Sequence, residues 1–280
     1  VGGCQRYKGP VSHRMGDIDI AIQSRIDSDE KDEDRKTNTM EIKTVMILGH
    51  RGMLGHMVAK YFTGKYACAF VDARFPSEEF KDAVKNFKGD YIINCIGAIP
   101  QKTNTFDINY DLPVWLSENA TCKVIHPGTD CEMDDDPYGV SKKRASDYIK
   151  AKSVNTKIIK ASIIGPEVET AKSLLYWFLN STGEVKGYKN AMWNGITTFE
   201  WAKICQTVML YWPVFEKETI VQSDCVSKYD ILCSIKEVYQ KDINIIPFEN
   251  KRLDKCLNGT ILTKSIKEQL IEMKSYYEGN

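Results

Sequence analysis

Residues 43–64 read KTVMILGHRGMLGHMVAKYFTG, and the reading of this stretch decides the fold. It opens on a short β-branched and apolar run, suited to a strand buried on both faces. A turn follows in which Gly49, Gly52 and Gly55 keep a G-x-x-G-x-x-G spacing. Beyond it, apolar residues recur at helical spacing until Gly64 closes the segment. A strand, a glycine-rich turn and a helix form the context in which such glycines bind a dinucleotide. The first glycine permits the tight turn, the second lets a pyrophosphate approach the backbone, and the third lets the helix pack closely. The helix N-terminus then faces the phosphates. A plain strand-to-helix turn would use the same glycines without a ligand.

The pattern repeats outward from this turn. Strand-like YACAFVDA, DYIINCIGAI, CKVIHPG and TKIIKASIIG alternate with helix-like PSEEFKDAVKNF, FDINYDLPVWLSENA and PYGVSKKRASDYIKAK. Pro113 predicts an irregularity in the second of these helices. Such alternation predicts an α/β, Rossmann-like, doubly wound parallel sheet over residues 40–166. Residues 167–280 read as a smaller, mostly helical, substrate-binding portion. Residues 1–39 carry the mixed-charge run IDSDEKDEDRK and predict a disordered or loosely packed extension.

Composition narrows the class of function. The 280 residues hold 38 Lys and Arg against 38 Asp and Glu, so the formal net charge is zero. That balance argues against a nucleic-acid or anionic-membrane binder. No apolar run approaches the roughly 20 residues of a membrane helix. With no secretory signal in view, the sequons at Asn119, Asn180 and Asn258 read as chance, and a cytoplasmic location is expected. None of the nine cysteines forms a C-x-x-C pair, so free thiols in a reducing compartment are expected and a metal site is not.

The candidate cofactor residues lie at predicted carboxyl strand ends. Met53 and Leu54 complete the glycine turn. Asp72 ends the second strand, 23 residues after Gly49, where an acidic residue would bind the adenosine ribose. Arg51 and Arg74 could each pair with a 2′-phosphate, which favours NADP(H) with NAD(H) as the alternative. Cys95, Ile96 and Gly97 end the next strand, on the nicotinamide side.

The chemistry is expected from TDCEMDDDPYGVSKK, residues 129–143. Tyr138 and Lys142 are four apart and share a helix face. Asp136 and Pro137 supply a cap and a first turn. In a carbonyl reduction Tyr138 would donate the proton, and Thr129 would bond the substrate oxygen. Lys142 would hold the nicotinamide ribose and lower the Tyr138 pKa. Asp134, Asp135 and Asp136 could be read as a metal site, but a solvated turn before a helix explains them better.

The glycines together with Thr129, Tyr138 and Lys142 resemble the extended short-chain dehydrogenase/reductase superfamily. Within it the chain is similar to the dTDP-4-dehydrorhamnose reductase family, through GTDC, SIIGPE, LLYWFLNSTGEVKGYKNAMWNGITT and SKYDIL. The resemblance covers residues 43–260. It implies NAD(P)H-dependent reduction of a 4-keto-6-deoxy nucleotide sugar in deoxysugar synthesis, and is compatible with a homodimer. It places Lys186, Asn190, Trp193 and Thr197 beside the substrate, while Trp193 would serve equally as core. One departure concerns the pocket: the family carries a longer insert where Thr129 and Tyr138 are only nine apart.

Two other functions stay open. The GHRGM turn also resembles GDP-fucose synthases, and Cys131, two after Thr129, could move a proton as in an epimerase-reductase. No histidine follows His126, so Lys172 or another lysine would have to be its partner. The chain also resembles the NADP-binding regulatory subunit of methionine adenosyltransferase, a non-catalytic protein.

Overall fold

The computed structural model describes residues 13–14, 44–168, 172–249 and 252–279. Eight parallel strands form the main sheet: β1 (His13–Arg14), β2 (Thr44–Leu48), β3 (Ala67–Val71), β4 (Tyr91–Asn94), β5 (Lys123–Gly128), β6 (Thr156–Lys160), β11 (Glu218–Gln222) and β15 (Ile261–Leu262). Their order is β1-β15-β11-β6-β5-β4-β2-β3. The order reverses at β2, so the crevice for a ligand opens between the carboxyl ends of β2 and β4.

Strand β2 shows why the sheet is covered on both sides. Val45 and Ile47 face one layer, with Val58 and Phe62 of α1 (Met53–Phe62) and Trp201 of α6 (Thr198–Leu210). Met46 and Leu48 face the other, with Phe80 of α2 (Glu78–Lys85) and Leu112 and Leu116 of α3 (Ile108–Asn119). Successive side chains point to opposite faces, so a strand buried on both must be apolar throughout. Helix α3 runs unbroken through Pro113, which is buried in its middle, so the expected irregularity does not interrupt it.

The second half holds strands as well as the expected helices. Strands β11 and β15 continue the main sheet beyond β6. Both were hard to see because ETIVQ alternates apolar and polar residues and β15 is two residues long. Further short strands are β7 (Ile163–Ile164), β8 (Glu184–Tyr188), β9 (Ala191–Trp193), β10 (Ile196–Thr197), β12 (Val226–Ser227), β13 (Asn244–Phe248) and β14 (Leu253–Asp254). With α5 (Leu174–Asn180), α7 (Lys228–Val238) and α8 (Ile266–Glu278) they enclose a second core around Phe178, Trp193, Ile235, Leu270 and Met273. Among the described residues no helix is long and apolar enough to cross a membrane. The expected N-terminal extension lies outside the described residues except His13 and Arg14, which pair with Ile261 and Leu262.

Not all the cysteines are free. Cys225 and Cys256 form a disulfide with a Cα–Cα distance of 5.9 Å. They are 31 apart in sequence and belong to no motif. They meet because β12 and β14 flank the same strand, β9.

Candidate active site

The glycine turn has the geometry its spacing predicts. Gly49 has φ of +75°, and a side chain there would also press on Ile96 and Cys95. A Cβ on Gly55 would lie 2.0 Å from the Gly49 carbonyl oxygen, so helix and turn touch through backbone. Gly52 starts α1 without a side-chain cap. By contrast α2, α5, α6, α7 and α8 begin on Ser77, Ser173, Thr197, Ser227 and Ser265, each accepting a backbone N–H. The open amides and positive end of α1 suit an anion such as a pyrophosphate. Leu54 is buried beneath the turn, with Met53 half-buried beside it.

Asp72 and Arg51 were expected to contact different parts of a nucleotide, but they contact one another. Arg51 Nη2 lies 2.8 Å from Asp72 Oδ1, and His50 Nε2 lies 3.6 Å from the same oxygen. The pair sits exposed beside the turn, and Arg74 is exposed just past β3. The strand end at Cys95, Ile96 and Gly97 is tied down by two asparagines. Asn94 Oδ1 accepts from Ile96 N, and Asn109 in α3 bonds both the N–H and the carbonyl of Ala98. Asn109 Nδ2 also reaches Ser141 Oγ, 3.3 Å away on α4 (Pro137–Lys152).

The acidic stretch resolves into separate tasks. Thr129 follows β5 and caps a single 3₁₀ turn, Asp130–Met133, in a capping box with Glu132. Its hydroxyl donates to Asp130 Oδ1 at 3.0 Å. Glu132 is buried; it accepts from Thr129 N and Ser146 Oγ and pairs with Lys160 of β6 at 2.8 Å. Asp134 pairs with Lys255, and Asp136 caps α4 by accepting from Gly139 N at 2.7 Å. Asp135 is exposed. The T-x-x-E signature of the capping box was present in the sequence, although Glu132 was not singled out.

Tyr138 and Lys142 share the inner face of α4, as their spacing predicts. Burial pushes the Tyr138 pKa up and the neighbouring Cys131 adds to it, against an opposing pull from Thr129. The expectation that Lys142 lowers that pKa is not met. Lys142 Nζ instead donates to the Pro127 carbonyl at 2.9 Å. Burial lowers the Lys142 pKa to about 8, against an opposing pull from Glu132. His126 lies beneath it, wholly buried, 3.3 Å from Asn94 Nδ2, and burial and then Lys142 push its pKa well down. Burial also raises the neighbouring Cys131 thiol to about 11, with Asp130 adding to the effect.

The four residues expected beside the substrate each have contacts of their own. Lys186 is exposed on β8, its Nζ 4.5 Å above the Phe248 ring. Asn190 is half-buried, and its carbonyl accepts from Leu253 N. Trp193 is only 8% exposed, and its indole N–H donates to Ser162 Oγ at 2.6 Å. Thr197 has no exposed surface; its hydroxyl caps α6, and its N–H is held by Gln269. Trp193 and Thr197 therefore serve the core and a helix start rather than a ligand surface.

Solved structures similar to this chain include nucleotide-sugar enzymes. A dTDP-4-dehydrorhamnose reductase from Clostridium acetobutylicum aligns with 84% of this chain and 99% of its own, with a TM-score of 0.64 at 17% identity. One from Bacillus anthracis, in complex with NADP, aligns over 85% and 100%, with a TM-score of 0.67 at 12% identity. The chain has the Rossmann-like fold of these reductases. A dTDP-glucose 4,6-dehydratase from Bacillus anthracis, in complex with NAD, shares it with a TM-score of 0.65 at 14% identity, over 85% and 97% of the two chains. No family model matches the sequence, and no curated protein matches it either.

Proposed function

We propose that the chain is an NAD(P)H-dependent reductase of a 4-keto-6-deoxy nucleotide sugar. The observation that carries this reading is the grouping of Thr129, at the end of β5, with Tyr138 and Lys142 on one face of α4, Lys142 reaching back to Pro127 of β5. It sits in the fold that places the glycine turn at the switch point. Met53, Leu54 and the three glycines would hold the pyrophosphate, and Cys95, Ile96 and Gly97 would line the nicotinamide side. Arg51, already against Asp72, and Arg74 favour NADP(H).

When bound, the reduced nicotinamide supplies a hydride to the carbonyl carbon. Tyr138 donates its proton to the carbonyl oxygen, and Thr129 orients that oxygen. Lys142, whose ammonium donates to Pro127 in this structure, would hold the ribose. Tyr138 starts as a neutral donor because burial raises its pKa. Cys131 is held as a thiol and donates to Asp130 Oδ1, 3.8 Å away, which argues against proton abstraction by this residue.

The decisive experiment supplies purified protein with NADPH or NADH and a panel of keto-sugar nucleotides. NADPH oxidation with a 4-keto-6-deoxy sugar is expected. NADPH binding without oxidation of any panel member would favour the non-catalytic reading, for which the engagement of Lys142 by Pro127 is the supporting observation. Solvent deuterium appearing at C3 or C5 of the sugar would favour the epimerase-reductase.

A further inference from the structure

The link between Thr129 and Tyr138 is short, but it is not held by its own residues alone. Lys255 pairs with Asp134 from 121 residues further along the chain. Both side chains are largely shielded, at 16% and 31% exposed. Burial works against the Lys255 charge, but pairing with Asp134, supported by Cys131 and Asp130, prevails and raises its pKa. Lys255 is thus a cation at the substrate end of the site, facing the residues that surround Tyr138.

Its backbone is fixed from several sides. Leu253 and Asp254 pair in parallel with Ala191 and Met192, and Lys255 N donates to Met192 O at 3.0 Å. On the far side of Lys255, Cys256 is joined to Cys225. One residue later Asn194 grips the backbone of Leu257 at both its N–H and its carbonyl, each at 2.8 Å. A five-residue segment secured in this way has little freedom to be only a passing surface contact. Its one long side chain directed at the link carries the charge that Asp134 needs.

We propose that Lys255 is a positioning residue: through Asp134 it holds the 130–136 link, and so keeps Thr129 and Tyr138 in register for the substrate carbonyl. The catalytic part of this inference rests on the reductase reading above. The segment 253–257 then forms the pocket wall beside a link too short to build one. Lys160 holds the same link from the sheet side through Glu132, so the link is clamped between two lysines.

The test compares full-length wild type, Lys255→Met, Lys255→Arg and Asp134→Asn with two readouts. The first is steady-state reduction of a 4-keto-6-deoxy nucleotide sugar. Lys255→Met is expected to lose about 10²-fold in kcat, as for a misplacement near 1 Å, with NADPH affinity and melting temperature close to wild type. Asp134→Asn should match it, and Lys255→Arg should recover most of the loss. The second readout needs no turnover: the rate at which iodoacetamide modifies Cys131, located by mass spectrometry. It should rise several-fold in Lys255→Met and Asp134→Asn and return toward wild type in Lys255→Arg. Unchanged Cys131 modification in Lys255→Met overturns the proposal, as does a loss of activity matched by loss of NADPH affinity and melting temperature. If wild type reduces no keto-sugar while Cys131 modification still rises, the reductase reading fails and the hold of Lys255 on the link stands.

Discussion

The two ends of the crevice are made of different material. At the phosphate end Gly49, Gly52 and Gly55 lie within seven residues of one another, and the contacts are backbone on backbone. At the substrate end Thr129 and Tyr138 depend on side chains that arrive from elsewhere: Lys160 from β6 and Lys255 from beyond β14. The first end is specified by what is absent, since a Cβ on Gly49 or Gly55 would collide. The second is specified by ion pairs whose partners are far apart in the chain. One end should therefore fail through sterics and the other through charge and position.

The largest effect should come from the chemistry itself. Tyr138→Phe is expected to lower kcat by about 10²–10⁴-fold while NADPH titration gives a near wild-type affinity. A variant that kept its turnover would remove Tyr138 from the mechanism. Next is Gly55→Ala, whose methyl must displace the Gly49 carbonyl. A loss of about 1–3 kcal/mol in denaturant unfolding is expected, together with weakened NADPH binding. Wild-type stability would mean that turn and helix are not in contact.

Lys142 sharpens the contrast because its charge is poised near neutrality. If only the charged lysine binds the cofactor, NADPH affinity should fall about tenfold between pH 7 and pH 9, as Lys142 loses its proton around pH 8. Lys142→Met should bind weakly with that pH dependence removed. The effect on stability has the opposite direction. A lysine whose folded pKa is depressed binds fewer protons folded than unfolded, so this group adds stability as pH rises from about 8 toward its usual 10.5. Parallel urea titrations of wild type and Lys142→Met across that window would show it.

The smallest expected effect separates scaffold from site. Thr197→Ala should cost about 1 kcal/mol in chemical unfolding, the usual loss for a helix cap, and leave KM unchanged. A raised KM at unchanged stability would return Thr197 to the substrate.

These differences also explain what could be read beforehand. The alternation of elements and the glycine turn were legible because strand burial and close backbone approach constrain residue type locally. The Tyr138 and Lys142 pair was legible because helical periodicity puts residues four apart on one face. Thr197 was assigned to the substrate from resemblance, although it stands three residues before Glu200, a helix-start pattern like that of Thr129 and Glu132. Lys255 gave no signal: its place depends on the register of a two-residue strand and on a disulfide between cysteines 31 apart. The orientation of Lys142 was hidden for a related reason. Periodicity gives the face of a helix but not whether a four-carbon side chain ends on a tyrosine or on the carbonyl of Pro127.

The open start of α1 has a consequence for how occupancy could be followed. The amides of Met53, Leu54 and Gly55 come before the first intrahelical bond, from His56 N to Gly52 O, and no side chain caps them. A ligand phosphate would complete a helix that the chain itself leaves unfinished. Hydrogen exchange at these three positions should slow when NADPH binds, while the first turns of the side-chain-capped α2 and α8 keep their rates. The start of α1 would then act as a built-in reporter of cofactor binding, readable without any catalytic turnover.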